Sequence, residues 1–151
     1  MHTTNEIIKM LSWSNSSEEQ KKGIELAQQF RCLEVFFQPI ACDYSKDVWA
    51  NCAIVIAKHS DDELAPYILD MLIWLQDMNW PGAEIIEKRL ICYKKTQDLA
   101  ETLNNLIENC LALEDDVWLA NLSRLMANTE LINCLKIESY NALSSSRGQE
   151  N

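Results

Sequence analysis

Two runs of three adjacent carboxylates are the residues of this sequence best suited to chemistry. They are Asp61-Asp62-Glu63 and Glu114-Asp115-Asp116. Paired carboxylates can cleave glycosidic bonds or hold a hard cation. Both runs stand where a helix is expected to begin, and acidic residues are favoured there because the helix dipole is positive at that end. We therefore favour a structural role for both runs, and a small helical enzyme with an acidic Asp/Glu pocket is the alternative.

Other catalytic arrangements find little support. A Ser or Cys nucleophile needs an activating base, commonly His. His2 lies in a segment expected to fray, and His59 lies at a helix junction, where we expect an exposed helix-end cation. Three glycines cannot supply a phosphate-binding loop. We expect no catalytic residues and no cofactor, and hence a protein that is not an enzyme.

The cysteines do not form a metal-binding pattern. None of the six belongs to a Cys-x-x-Cys pair, and neither histidine stands at a zinc-site spacing from them. The first residues, Met-His-Thr-Thr-Asn-Glu, lack the basic start and apolar core of a secretory signal. We therefore expect reduced thiols, no metal and a cytoplasmic location. The apolar run 67–75 is much shorter than the roughly 20 residues of a membrane-spanning helix.

Charge and composition indicate the kind of partner and the class of fold. The net charge of −10 opposes binding to nucleic acid or to anionic membranes, which relies on clustered Lys and Arg. A basic protein suits this surface better.

With 151 residues, 48% of them hydrophobic, the chain can bury the core of one domain. Only three Gly and three Pro occur, which favours an all-α protein.

Helix starts can be located from capping signals. Thr3-x-x-Glu6, Ser16-x-x-Glu19 and Ser60-x-x-Glu63 all fit the capping box. Apolar periodicity places the helices at about 4–13, 17–31, 48–56, 67–77, 81–90, 97–112, 116–127 and 129–136. A packed loop is expected at 33–44. The helical domain is expected to cover 1–143, and 144–151 to form a disordered tail.

The stretch "WLQDMNWPGA", residues 74–83, predicts a tight corner between two helices. Pro81 disfavours helical geometry at Trp80 and can itself begin the second helix. Asn79 tolerates the left-handed backbone that such a turn often needs. Gly82 allows the helices to approach closely, and Trp74 and Trp80 are expected to clamp them together.

The chain also contains a repeated tripeptide. Asp47-Val48-Trp49 and Asp116-Val117-Trp118 each open a helix and lie 69 residues apart. A step of half that separation from Asp47 reaches the helix start at Pro81. This suggests that pairs of helices repeat along the chain, with a period typical of solenoid proteins. The spacing predicts an irregular HEAT-like α-solenoid of stacked antiparallel helix pairs. A plain helical bundle is the alternative.

Two segments resemble known families. The stretch "PYILDMLIWLQDMNWPGAEIIEKRL", residues 66–90, resembles a HEAT-type repeat. "WLQDMNWPGA" together with "LEDDVWLANLSRL" resembles an uncharacterised bacterial family, the domain of unknown function 5071, over most of residues 47–126. The resemblance implies a HEAT-like helical fold and carries no established activity or catalytic residues.

Binding is the leading class of function. Stacked helix pairs make extended surfaces, and acidic residues at successive helix starts would steer a basic partner by charge. We expect Asp77, Asp115 and Asp116 to be the charged contacts and Trp80 to be an apolar anchor if its ring is exposed. A bacterial immunity protein that neutralises a basic toxin is one form of this function, by analogy. The sequence does not determine the oligomeric state.

Overall fold

The protein is all-α. The computed structural model describes residues 1–147, and every helix or strand assignment among them is helical. Single 3₁₀ turns occur at Glu34–Phe36, Lys46–Val48, Ala65–Tyr67 and Arg124–Ala127. The α-helices are α1 (Thr4–Met10), α2 (Ser17–Ala27), α3 (Gln38–Ala41), α4 (Trp49–Ala57), α5 (Asp61–Leu64), α6 (Ile68–Trp74), α7 (Ala83–Ile91), α8 (Thr96–Ala112), α9 (Asp116–Ser123), α10 (Thr129–Ile132) and α11 (Ile137–Arg147).

The helix starts follow the capping signals. Thr3 and Ser60 each form a complete capping box, with the backbone and side chain of the Glu three residues later both engaged. Ser16 accepts a hydrogen bond from the backbone N–H of Glu19. These bonds satisfy backbone donors that have no partner inside the helix. The predicted starts of α1, α2 and α5 are confirmed.

The tryptophan-rich corner is present, but its backbone differs from the prediction. Gly82 has φ of +90° and is the N-cap of α7, which begins at Ala83. The prediction that Pro81 begins the helix is therefore wrong by two residues. Asn79 was singled out as a residue that tolerates the left-handed backbone, but the left-handed residue of this corner is Gly82, because glycine has no Cβ to oppose that conformation.

Trp74 is the buried centre of this corner. Its indole Nε1 donates to the carbonyl oxygen of Pro81 at 3.1 Å. Its ring packs edge-on against Trp49, with centroids 6.3 Å apart. The expected clamp is therefore formed by Trp74, and it fixes the turn that follows α6 against α4.

The segment 33–44 is more ordered than a loop. It contains the 3₁₀ turn Glu34–Phe36 and the single helical turn α3, and Phe36 and Phe37 are buried. Gln38 is also buried, and its amide donates to the carbonyl of Val35 and accepts from the backbone N–H of Tyr44. Poor periodicity hid these turns because each is only three or four residues long.

Several helices pack against an element two or three further along the chain. The central helix α4 contacts α2 and α7, α6 contacts α7 and α8, and α11 contacts α9 and α8. One connected set of buried apolar side chains runs from Ile7 to Leu143. No helix within residues 1–147 is long and apolar enough to cross a membrane.

The C-terminal helix extends into the predicted tail. Helix α11 continues to Arg147, so residues 144–147 are helical where the sequence predicts a disordered tail. Leu143 is completely buried and anchors this helix against the rest of the fold. The remainder of the predicted tail, 148–151, lies outside the described residues.

Candidate functional site

The two acidic runs have different environments, and the first one is engaged internally. Asp61 receives the guanidinium of Arg89 at 2.5 Å and the backbone N–H of Lys94 at 3.0 Å. Asp62 pairs with Lys95. These contacts join the start of α5 to the end of α7 and the segment that follows it. The first acidic run therefore holds two parts of the fold together.

His59 completes this internal network. Its Nδ1 lies 2.8 Å from Oε2 of Glu63, and its side chain is only 5% exposed. The expectation of an exposed helix-end cation is wrong, because Arg89 and Glu63 cover this helix end from two sides. Its Nε2 is buried without a hydrogen-bond partner in the described part of the chain.

The carboxylates of this network are poor candidates for proton donors. The hydrogen bond from His59 and those from Ser60 lower the pKa of Glu63 to about 2. Burial raises the pKa of Asp61, but hydrogen bonds from Lys94 N–H and Arg89 outweigh it and hold that pKa below its ordinary value. A general acid needs a raised pKa. Both carboxylates are instead held ionised, which suits a structural ion pair.

The second acidic run forms the turn between α8 and α9. Glu114 has φ of +54°, in the left-handed region that side chains other than glycine rarely adopt. The backbone N–H of Asp115 donates to the carbonyl of Cys110 at 2.9 Å, and that of Glu114 donates to Leu111 at 3.3 Å. This pair of bonds is a Schellman motif, which ends α8 and satisfies its last carbonyls.

Asp115 and Asp116 differ in what they contact. Asp115 is the N-cap of α9, and its Oδ1 accepts the backbone N–H of Trp118 at 3.1 Å. Asp116 lies in the first turn of α9 and is exposed, as is Glu114. The ion pairs formed among residues 1–147 do not include Glu114, Asp115 or Asp116. The exposed charges of Glu114 and Asp116 are therefore not neutralised by an ion pair within the described residues.

Two polar side chains fix α9 against the end of α6. Trp118 donates from Nε1 to the carbonyl of Leu72 at 3.1 Å, and Asn121 donates from Nδ2 to Leu75 at 2.8 Å. The carbonyl of Leu72 also accepts the backbone N–H of Leu75, the C-cap of α6, and the two side-chain bonds add further partners at this helix end. Asn121 was not singled out from the sequence, although its spacing of three from Trp118 places both on one helix face.

Asp77 and Trp80 follow this same C-terminal end of α6, where Asn121 also donates to the carbonyl of Gln76 at 3.3 Å. Oδ1 of Asp77 accepts the backbone N–H of Asn79 at 2.8 Å, which shapes the corner. Trp80 is half-buried, and its ring packs edge-on against Trp49 with centroids 5.8 Å apart. The structure therefore brings Asp115 and Asp116 together, whereas Asp77 and Trp80 belong to the tryptophan corner. Their role as partner contacts stays a prediction.

Exposed apolar residues beside the second acidic run were missed. Leu113 is 80% exposed and Val117 is 67% exposed. The sequence carried no signal for the exposure of Leu113, because it follows the buried Cys110 by three residues and the buried Leu106 by seven, the spacing of an inward face. The acidic turn is therefore also an apolar one.

The described residues hold no evident metal site. No group of three or more His, Cys, Asp or Glu side chains that could bind an ion occurs within 1–147. All six cysteines are free. Burial raises the pKa of Cys52 to about 12 and, together with nearby Asp115, that of Cys110 to about 11. These two thiols are therefore poor nucleophiles and ligands, since both roles need the thiolate.

Fold and site together define an all-α protein with an exposed acidic turn. A family model described as a domain of unknown function (DUF5071) matches residues 47–146. Because this match covers about two thirds of the chain, the protein belongs to that family. The resemblance carried by the tryptophan corner and by residues 113–125 is confirmed, and the match extends past residue 126. No curated protein and no solved structure matches the chain.

Proposed function

We propose that this protein is a non-catalytic protein-binding module whose acidic surface recognises a basic protein. The observation that supports this most strongly is the contrast between the two acidic runs. Asp61 and Asp62 are neutralised by Arg89 and Lys95, whereas the second run lacks ion pairs within the described chain. Exposed and unneutralised charge attracts a partner of opposite sign and accelerates encounter with it.

The charge around the second run is strongly one-sided. Between Lys95 and Arg124 the sequence contains six acidic residues and no basic one. This interval contains α8 and α9, which lie next to each other in the fold. Such a stretch supports binding through Asp115 and Asp116, with Asp77 and Trp80 as further contacts nearer the tryptophan corner.

The packing also supports a HEAT-like arrangement. Helices such as α4 and α7, α6 and α8, and α9 and α11 pack together across intervening elements, as helices of successive stacked pairs do, and the single helical turns make the array irregular. A bacterial immunity protein that neutralises a basic toxin in the cytoplasm is one concrete form of the function, because such inhibitors are small and acidic. This form rests on analogy and on charge.

The test is a pull-down with the immobilised protein as bait in lysate of the source organism. A basic protein should be retained in stoichiometric amount at low salt and released at about 0.5 M salt, because salt screens surface attraction. The double variant Glu114→Gln with Asp116→Asn should retain much less of it. The matched control is Glu18→Gln with Glu19→Gln, which removes two adjacent exposed carboxylates at the start of α2.

Two outcomes would contradict the proposal. Retention that is unchanged at high salt would exclude an electrostatic interface. An equal loss with both double variants would show that net charge matters and that the α8–α9 turn is not the binding site. A retained protein that is toxic by itself and is neutralised by the bait would establish the immunity form.

A further inference from the structure

Three large apolar side chains are exposed at the α8–α9 turn. Leu111 is 50% exposed, and Leu113 and Val117 are more exposed still. Single exposed apolar residues are common on protein surfaces, but a group of them within one turn marks an interaction site. Since α9 is fixed to α6 by Trp118 and Asn121, the turn is held in place with these side chains facing solvent.

A groove continues this apolar turn between α8 and the beginning of α11. Its volume is about 430 Å³, and it is lined by Asn104 and Leu111 on α8 and by Lys136 and Ser139 opposite. The backbone N–H of Lys136 donates to Oδ1 of Asn104 at 3.2 Å, which joins the two walls. Leu111 lines the groove and lies two residues before Leu113, so the groove ends beside the turn.

Carboxylates surround this surface. Glu108 and Glu138 line the groove, and Glu114 and Asp116 stand in the turn. Lys136 is the basic residue of the groove lining. The acidic docking face is defined here as Leu111, Leu113 and Val117 together with Glu108, Glu114 and Asp116.

We propose that the acidic docking face binds an amphipathic helix that carries Lys and Arg beside an apolar stripe. This inference rests on the proposed function and names the part of the basic partner that is recognised. The apolar stripe packs on Leu111, Leu113 and Val117, and the basic side chains face the carboxylates around them. Binding of an amphipathic helix in an apolar groove is a recurring mode of recognition.

The length and the charge of the acidic docking face both favour a basic amphipathic helix as the bound segment. From Asn104 to Leu111 the α8 wall extends about 10 Å, and the turn lengthens the face, so two to three turns of helix fit. A second copy of the chain would place carboxylates against carboxylates, which opposes association. An apolar partner without charge would leave the surrounding carboxylates without counter-charges. A basic amphipathic helix satisfies both parts of the face.

The probe for the test is a synthetic 18-residue peptide of Leu and Lys with its leucines on one helical face. A peptide of the same composition, scrambled to remove the apolar face, has equal charge and serves as the comparison. Binding to the full chain is measured by fluorescence anisotropy of the labelled peptides at low and at about 0.5 M salt. Backbone and methyl NMR shifts then locate the binding surface.

The expected result has three parts. The amphipathic peptide binds about tenfold more tightly than the scrambled one, because only the former places its leucines together on the face. Leu113→Asn and Val117→Asn each weaken its binding several-fold, while Ile40→Asn, at an exposed apolar residue of α3, leaves it unchanged. The NMR shifts concentrate on residues 104–117 and 136–139.

The outcomes distinguish this inference from the proposed function. Equal affinities for the two peptides, or NMR shifts centred away from the acidic docking face, would overturn the helix-docking inference. If the pull-down still retained a salt-sensitive basic protein, the acidic binding module would stand without it. If neither peptide bound and the pull-down retained no basic protein, both would be rejected.

Discussion

Gly82 is the position where a single methyl group should disturb the fold most. A Cβ at this residue would lie 2.7 Å from Cβ of Ala53 and 3.0 Å from Cζ2 of Trp74. The φ of +90° adds strain for any residue with a side chain. The left-handed backbone costs about 1–2 kcal/mol and forced overpacking about 1–3 kcal/mol, so Gly82→Ala should lose about 2–5 kcal/mol of unfolding free energy.

Urea denaturation followed by tryptophan fluorescence measures this loss. A domain of this size is stable by only about 5–15 kcal/mol, so the denaturation midpoint should fall clearly. The matched variant combines Gly82→Ala with Ala53→Gly, which removes the nearest clashing atom and leaves the backbone strain in place. This double variant should cost less than the sum of the two single changes, because the clash is shared between them.

Two results would refute this reasoning. If Gly82→Ala were within about 0.5 kcal/mol of the original protein, neither the clash nor the strain would be real. If the double variant cost the full sum of the single changes, the contact with Ala53 would not carry the effect, and the backbone strain or the contact with Trp74 would have to explain the loss.

Two further predictions concern the acidic runs. Glu114→Gly should raise the unfolding free energy by about 1 kcal/mol, because glycine adopts the left-handed backbone of the α8–α9 turn without strain, and an unchanged urea midpoint would contradict this. Glu63 has its pKa lowered to about 2 from an ordinary value of 4.5, so its contribution to stability is complete above about pH 4.5 and is lost as the pH falls toward 2. Glu63→Gln should therefore lower the urea midpoint at pH 7 and make the midpoint less sensitive to acid, and a difference from the original protein that stays constant between pH 3 and pH 7 would show that the pair with His59 is not responsible.

Local signals predicted the helical class and several helix starts well. Thr3 and Ser60 act on backbone donors three residues away, so the short sequence pattern contains the whole interaction. The position of the tryptophan corner was also predicted, because Pro81 disfavours helical backbone geometry at Trp80. Local rules did not tell which residue of the corner is left-handed, because both Asn79 and Gly82 tolerate that backbone and the structure places it at Gly82.

The character of the two acidic runs could not be read from the sequence. As strings of letters, Asp61-Asp62-Glu63 and Glu114-Asp115-Asp116 are almost equivalent, and each begins a helix. Tertiary structure alone brings Arg89 to Asp61, across 28 residues of chain. Ion pairing and burial depend on such distant partners, which local patterns do not specify.

Composition and short patterns were sufficient to predict the all-α class, the starts of α1, α2 and α5, and the excess of negative charge. These depend on composition and on interactions within three or four residues. Only the tertiary structure decided that His59 is buried beside Glu63 and that Leu113 and Val117 remain exposed. The physical reason is that solvent exposure is a property of the assembled packing: a side chain is covered or left open by elements far away in the chain.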